Sequence, residues 1–135
     1  MKKVSFLLVI ILCAFAFSCK KEKSERFILL TTPTWTADTL FANGVDASGP
    51  GLLLEKFKGD AKFREDGTGD FGNYEGTWSF SPDETKITIA SDSLQLPIMC
   101  NIDRLTKTSL KVTTSVLDIH NPTVPISILM TFKAK

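Results

Sequence analysis

The sequence predicts an all-β fold, an antiparallel up-and-down barrel of about eight strands. Three observations predict it. Residues 62–89, KFREDGTGDFGNYEGTWSFSPDETKITI, read as three strands joined by two tight turns. The same apolar and polar alternation recurs at regular spacing to the C-terminus. After the N-terminal segment, no window of helical period runs longer than about two turns. Closing such strands into a barrel also removes the edges they would otherwise expose.

The meander's first arm places Phe57, Ala61 and Phe63 on one side and Lys56, Lys58, Asp60, Lys62 and Arg64 on the other. In its middle arm Tyr74, Gly76, Trp78 and Phe80 face one way and Glu75, Thr77, Ser79 and Ser81 the other; Ile87 and Ile89 continue the inward pattern. Asp66-Gly67 supplies the positive φ that hairpin turns favour, and Ser81-Pro82-Asp83-Glu84 fits a loop with proline at its first corner.

Upstream, residues 27–30 are a short apolar lead-in. Residues 34–41 form a first main strand with Trp35, Ala37, Thr39 and Phe41 inward. Residues 43–51, NGVDASGPG, are the longest irregular connection, placed at an open end as a lid or mouth. Residues 52–64 read as the next strand, bent at Gly59.

Downstream, a turn at residues 91–93 leads into a long strand, 94–102, in which Pro97 calls for an edge or a bulge. Residues 105–109 make the next turn, and Leu110, Val112, Thr114 and Val116 alternate with polar neighbours. A second loop, 118–125, carries His120, and the last strand, 126–134, turns Ile126, Ile128, Met130 and Phe132 to one side.

The chain has 135 residues, enough for one modest core once a targeting segment is set aside. Its 16 Lys and Arg balance 15 Asp and Glu, so no basic surplus exists to attract a phosphate backbone, and nucleic acid is not an expected partner.

The first 19 residues, MKKVSFLLVIILCAFAFSC, carry a positive head at Lys2 and Lys3, an apolar run over 4–17 and a small residue, Ser18, before Cys19. A membrane span needs about 20 apolar residues, so this shorter run suits a secretory signal. The segment resembles bacterial lipoprotein signal peptides, with Ala16-Phe17-Ser18-Cys19 as the box that ends at the lipidated cysteine. An ordinary signal cleaved at another small residue and an uncleaved anchor are the alternatives. The lipoprotein reading divides the chain into a signal peptide (1–18), a lipidated N-terminus and polar tether (19–26) and a barrel domain (27–135). Three hydrocarbon chains on Cys19, a diacylglycerol and an N-acyl group such as palmitate, would hold the protein firmly to a membrane.

Cys13 would leave with the signal and Cys19 would carry lipid, leaving Cys100 as the domain's one thiol and no internal disulfide. It falls in the alternating run Leu94, Leu96, Ile98, Cys100, Ile102 and is expected in the core as a small hydrophobe.

With the strands placed, the domain resembles the small lipocalin-like lipoproteins of Gram-negative bacteria. The carriers are Trp35 after Leu29-Leu30, Phe63 with Glu65-Asp66-Gly67-Thr68-Gly69, and Tyr74-Glu75-Gly76-Thr77-Trp78-Ser79-Phe80. Lys86-Ile87-Thr88-Ile89, Ile102 to Leu105, Thr108-Ser109-Leu110-Lys111-Val112 and Met130-Thr131-Phe132-Lys133 complete the pattern. Pro33-Thr34-Trp35 stands where that family tends to carry Gly-x-Trp. The resemblance implies a barrel with a ligand cup, lipid-anchored at the outer membrane.

Signals for chemistry are sparse. His120 is the single histidine, in a loop beside Asn121-Pro122, and reads as a surface residue. Asp66-Gly67-Thr68-Gly69-Asp70 is a hairpin turn more than a calcium loop, since the downstream carboxylate is missing. No catalytic residue, metal or cofactor is expected. The binding candidates are Trp35, Phe41, Phe57, Phe63, Tyr74, Trp78, Met130 and Phe132, within an inward set that also holds Phe71 and Phe80. A barrel of this size is either filled by such side chains or holds one small ligand. Two readings follow: a membrane-tethered, non-catalytic binder of a small apolar or amphipathic molecule, or an envelope module with a filled core that holds a protein or glycan partner.

Overall fold

A computed structural model describes residues 22–94 and 96–135. The N-terminal stretch expected to be a signal peptide, with Cys13 and Cys19, lies outside the described residues. The order of elements is a helix α1 (Glu25–Thr31), strands β1 (Trp35–Ala42) and β2 (Val45–Asp46), one 3-10 turn (Glu55–Phe57), then β3 (Asp60–Phe63) and β4 (Thr68–Phe71). There follow β5 (Tyr74–Phe80), β6 (Lys86–Ala90), β7 (Ile98–Leu105), β8 (Ser109–Leu117) and β9 (Pro125–Ala134). Consecutive strands from β3 to β9 pair antiparallel, and β1 pairs with both β3 and β9, so eight strands close into a barrel. The two-residue β2 is only the return arm of a hairpin on β1.

Closure depends on an irregularity in β1. Its register against β9 shifts between Ala37 and Thr39, leaving Asp38 as the extra residue of a β-bulge. A bulge moves the alternation by one position. The strand therefore starts with Trp35 inside, but past the bulge Leu40 is buried and Phe41 is 36% exposed. This corrects the assignment of Phe41 and Thr39 to the inward face. A second bulge at Asp103 in β7 lets Ile102 and then Leu105 pack against the core.

Three other expectations change. Residues 52–58, expected in the strand over 52–64, are not in the sheet; with 47–51 they run over the barrel end. They form a strap with its 3-10 turn, and only Asp60–Phe63 pairs in the sheet. The strap still delivers Phe57 to the core, at 6% exposure, by folding it over the barrel's open end. In the run before β7, Leu96 points to solvent at 76% exposure, because β7 starts only at Ile98 after Pro97. Ser24, Glu25 and Arg26, read as the end of a tether, are the cap and first turn of α1.

Glycine is required at Gly76 in β5, where a Cβ would run into the backbone carbonyl of Ala90 on β6. The close strand approach there is available only to a residue without a side chain.

Helix α1 plugs one end of the barrel. Ser24 Oγ accepts from Phe27 N (3.1 Å) as N-cap and donates to Glu84 Oε2 (2.6 Å) in the β5–β6 loop. Arg26 Nε donates to the Glu84 carbonyl (2.9 Å). Past its other end, Lys62 Nζ donates to the carbonyls of Thr31, Thr32 and Pro33, placing a cation at the negative pole of the helix. Leu30 and Trp35 are both fully buried beneath it, and Trp35 Nε1 donates to the Leu30 carbonyl at 3.0 Å.

The loop that grips α1 is itself held by a carboxylate. Asp83 Oδ1 accepts from Ser81 Oγ (2.7 Å), Thr85 Oγ1 (2.8 Å) and Thr85 N (3.3 Å), and these bonds lower its pKa from 3.8 to about 2. A depressed carboxylate contributes stability that is present above the unfolded pKa and lost as pH falls toward the folded one. Denaturant titrations should show wild-type stability declining between pH 3.8 and about 2, while Asp83→Asn removes that part of the acid limb. Trp35→Phe should cost about 1–3 kcal/mol in the same assay at neutral pH, because it leaves the buried Leu30 carbonyl without its donor.

Candidate functional site

The barrel interior is graded along its axis. At the closed end aromatic rings fill it: Phe63 lies 5.7 Å from Trp78 edge-on, Trp78 5.2 Å from Phe80, Phe63 5.2 Å from Phe71, and Phe27 of α1 5.7 Å from Trp78. Trp78 Nε1 is satisfied by the Arg64 carbonyl at 2.8 Å. In the middle a void of 20 Å³ remains among Phe57, Phe63, Phe71, Cys100, Met130, Phe132 and their aliphatic neighbours. That is roughly one water's space, and its walls are apolar, so it is a packing gap rather than a binding site.

Toward the open end the rings give way to aliphatic side chains and the space widens. A cavity of 120 Å³ is lined by Leu53, Leu54 and Phe57 from the strap and Tyr74 from β5. Leu94 and Ile98 border it beside β7, Thr114 and Val116 line it from β8, and Ile128 and Met130 from β9. Phe57 packs on Tyr74 at 4.9 Å between centroids, and Lys56 Nζ sits 5.8 Å over the outer side of the same pair, at the Tyr74 ring. The strap is fastened by backbone bonds from Ala47 N to Leu40 O (2.8 Å), Leu54 N to Ala47 O (2.9 Å) and Asn73 N to Lys56 O (2.7 Å). Two hydroxyl-bearing residues, Tyr74 and Thr114, belong to the lining; the Thr114 hydroxyl donates to the Met99 carbonyl at 2.7 Å, and its oxygen can still accept.

Of the residues singled out from sequence, Phe57, Tyr74 and Met130 line this cavity. Phe63 and Phe132 border the small void, with Met130 and Phe57 separating the two spaces. Trp35 and Trp78 belong to the plugged end, and Phe41 is on the outside. The strap leucines and Leu94, Ile98, Val116 and Ile128 are lining residues that the aromatic signal does not point to, although the alternation of Thr114 with Val116 and of Ile126 with Ile128 turns Val116 and Ile128 inward.

The polar candidates sort simply. Asp66 Oδ1 accepts from Thr68 N (2.9 Å) and Thr68 Oγ1 (2.7 Å) across a Gly67 at φ +87°, which depresses its pKa and makes the segment a hairpin turn. Asp70 pairs with Arg64. Among the described residues no group of three His, Cys, Asp or Glu side chains is placed to hold a metal ion. His120 is exposed, its backbone N–H donating to Asp118 Oδ1. Cys100 is 1% exposed, and burial pushes its thiol up to about 12.

No family model matches the sequence, and no curated protein matches it. The fold has solved counterparts. The crystal structure of bovine odorant binding protein complexed with its natural ligand superposes with a TM-score of 0.56 at 14% identity, covering 86% of this chain and 77% of that one. The complex of bovine odorant binding protein with a selenium-containing odorant gives 0.54 at 14% identity, covering 86% and 76%. The domain is therefore a lipocalin-like barrel in fold.

With its pKa near 12, Cys100 carries about one thiolate in ten thousand at pH 8 and is shielded by the barrel wall. A thiol reagent at pH 8 should leave the native domain unlabelled over the time in which the denatured chain reacts fully. Rapid native labelling would show that the wall at β6–β7 opens.

Proposed function

We propose that this chain is a lipid-anchored, non-catalytic binder of a small apolar or amphipathic molecule, held by Cys19 at the outer membrane. The 120 Å³ cavity beneath the strap carries the reading. It is apolar on nearly every side, lies at the open end of a lipocalin-like barrel and is covered by a segment fastened mainly through a few backbone bonds. The fold's solved counterparts are described with an odorant or a natural ligand bound, which supports the reading by analogy.

Volume sets the ligand class. An apolar cavity of about 150 Å³ takes up benzene, so the closed cup suits a molecule of about that size. Typical ligand pockets start at about 300 Å³, and a longer molecule would have to lift Leu53 and Leu54 and leave its tail in the mouth.

A second reading, an envelope module that grips a protein or glycan, is favoured by one feature. Val45, Leu96, Leu117 and Ile119 are 68%, 76%, 72% and 85% exposed on the loops and strand ends around the open end. Such a rim marks an interaction surface as readily as a ligand's path into the barrel.

The test is mass spectrometry of organic extracts from the mature Cys19→Ser domain, expressed in its native envelope and purified gently, beside Val116→Phe. Adding a ring at Val116 fills the cavity from β8. One small molecule near one per chain in the first protein, and several-fold less in the second, is the expected result. Equal amounts in both, or none in either, would move the function from the cup to the rim.

A further inference from the structure

The outward face of α1 carries exposed Glu25 in its first turn and becomes apolar toward its C-terminal end, where a surface helix should stay polar. Leu30 points into the barrel, while Ile28 stands 48% exposed on the outward face and Leu29 is half-buried on the flank between them. Together with Thr32, Pro33 and Lys107 of the β7–β8 turn they enclose an open depression of 250 Å³ whose walls are chiefly hydrocarbon. Lys107 contributes an ammonium at its edge, the arrangement by which a long side chain covers apolar surface while its charge reaches an anionic headgroup.

Where the chain comes from limits what can cover this patch. Only residues 20–23 separate Cys19 from the helix cap Ser24. That length spans at most about 18 Å. Three of those four residues are lysines, Lys20, Lys21 and Lys23, beside Glu22. Ser24 is bonded to Glu84 and Lys23 to Glu65, so the chain leaves the domain at the plugged end, beside the patch. The open end carries the strap and the β8–β9 loop at the opposite pole, where Asp46, Glu55, Asp92 and Asp118 outnumber Lys56 and Lys58.

We infer that the plugged end of the barrel rests on the lipid bilayer through Ile28, Leu29 and Pro33, with Lys107 at the headgroups, and that the cavity mouth opens away from the membrane. The inference builds on the lipid anchor at Cys19 proposed above. A barrel so held takes its ligand from the aqueous side or from a partner at the exposed rim, and does not draw it from the bilayer that carries the anchor.

The experiment uses the full acylated protein reconstituted in vesicles of phosphatidylethanolamine and phosphatidylglycerol. An environment-sensitive fluorophore is attached at Ile28→Cys or at Ile119→Cys, and the lipids carry a nitroxide quencher. Both positions are exposed, and unsubstituted protein controls for labelling of Cys100. A helix face seated in the headgroup region lies about 5–10 Å deep, so emission from position 28 should fall roughly twofold or more on adding nitroxide lipid, with position 119 unaffected. Quenching at 119, or at neither position in acylated, vesicle-bound protein, would overturn the orientation while leaving the anchor in place. The mass of the N-terminal peptide separates the two claims: a Cys19 without acyl chains would remove the anchor and the orientation with it.

Discussion

Everything in this domain depends on β1 pairing along both of its edges. Without the β1–β9 ladder the sheet would be an open meander with two exposed edges, and the apolar faces of β8 and β9 would have nothing to curl around. The two sides of β1 are unequal. Its pairing with β9 runs the full strand, but with β3 only Trp35 and Thr36 form ladder pairs, extended by a bond from Ala37 N to the Gly59 carbonyl. The bulge at Asp38 marks where the strand changes its inward set. From there β1 leaves the β3 ladder, and its edge is covered by the short return arm β2 and the strap that follows it.

That asymmetry explains why the barrel is solid at one end and hollow at the other. At the plugged end Trp35, Trp78, Phe63 and Phe27 fill the section and α1 seals it, with both indole N–H groups satisfied by backbone carbonyls. Large rings with their polar atoms paired are an efficient way to fill a barrel of eight strands. At the other end Phe57 and Tyr74 pack on each other at one side, and the facing Val116, Ile98, Ile128 and Thr114 are too short to fill the section, with Leu54 of the strap buried over it and Leu53 half out in solvent. The cavity is the space left between side chains of two sizes.

The charged groups work at the periphery. Asp60, Asp66 and Asp83 each have a depressed pKa through hydrogen bonds from partners in turns or at strand ends, Lys135 and Thr36 for Asp60, Thr68 for Asp66, and Ser81 with Thr85 for Asp83. Asp83 orders the loop that holds α1, and Asp66 shapes the β3–β4 turn. None is buried in the manner that raises a carboxylate for acid–base work.

Strand identity and inward faces were legible wherever alternation ran unbroken. Tyr74 to Phe80, Ile87 with Ile89, Leu110 with Val112, and Ile128, Met130 and Phe132 all face as their period of two requires, because a half-buried strand must alternate. The Asn43-Gly44 turn was also readable, since that pair favours the positive φ seen at both residues, though it was absorbed into a longer loop. The extra residue at Asp38 was visible only as an acidic residue within a strand, and nothing local says that it would be accommodated by a bulge and not by turning outward. Residues 52–58 read as strand because the apolar residues Leu52, Leu54 and Phe57 suit a sheet as well as a segment folded over its end. Local period and turn chemistry are therefore enough to set the all-β class, the antiparallel meander and most of the core. The inward set of β1, the strap and the position of the cavity are settled by long-range contacts, because they depend on which strand closes against which and on how far side chains reach across the axis.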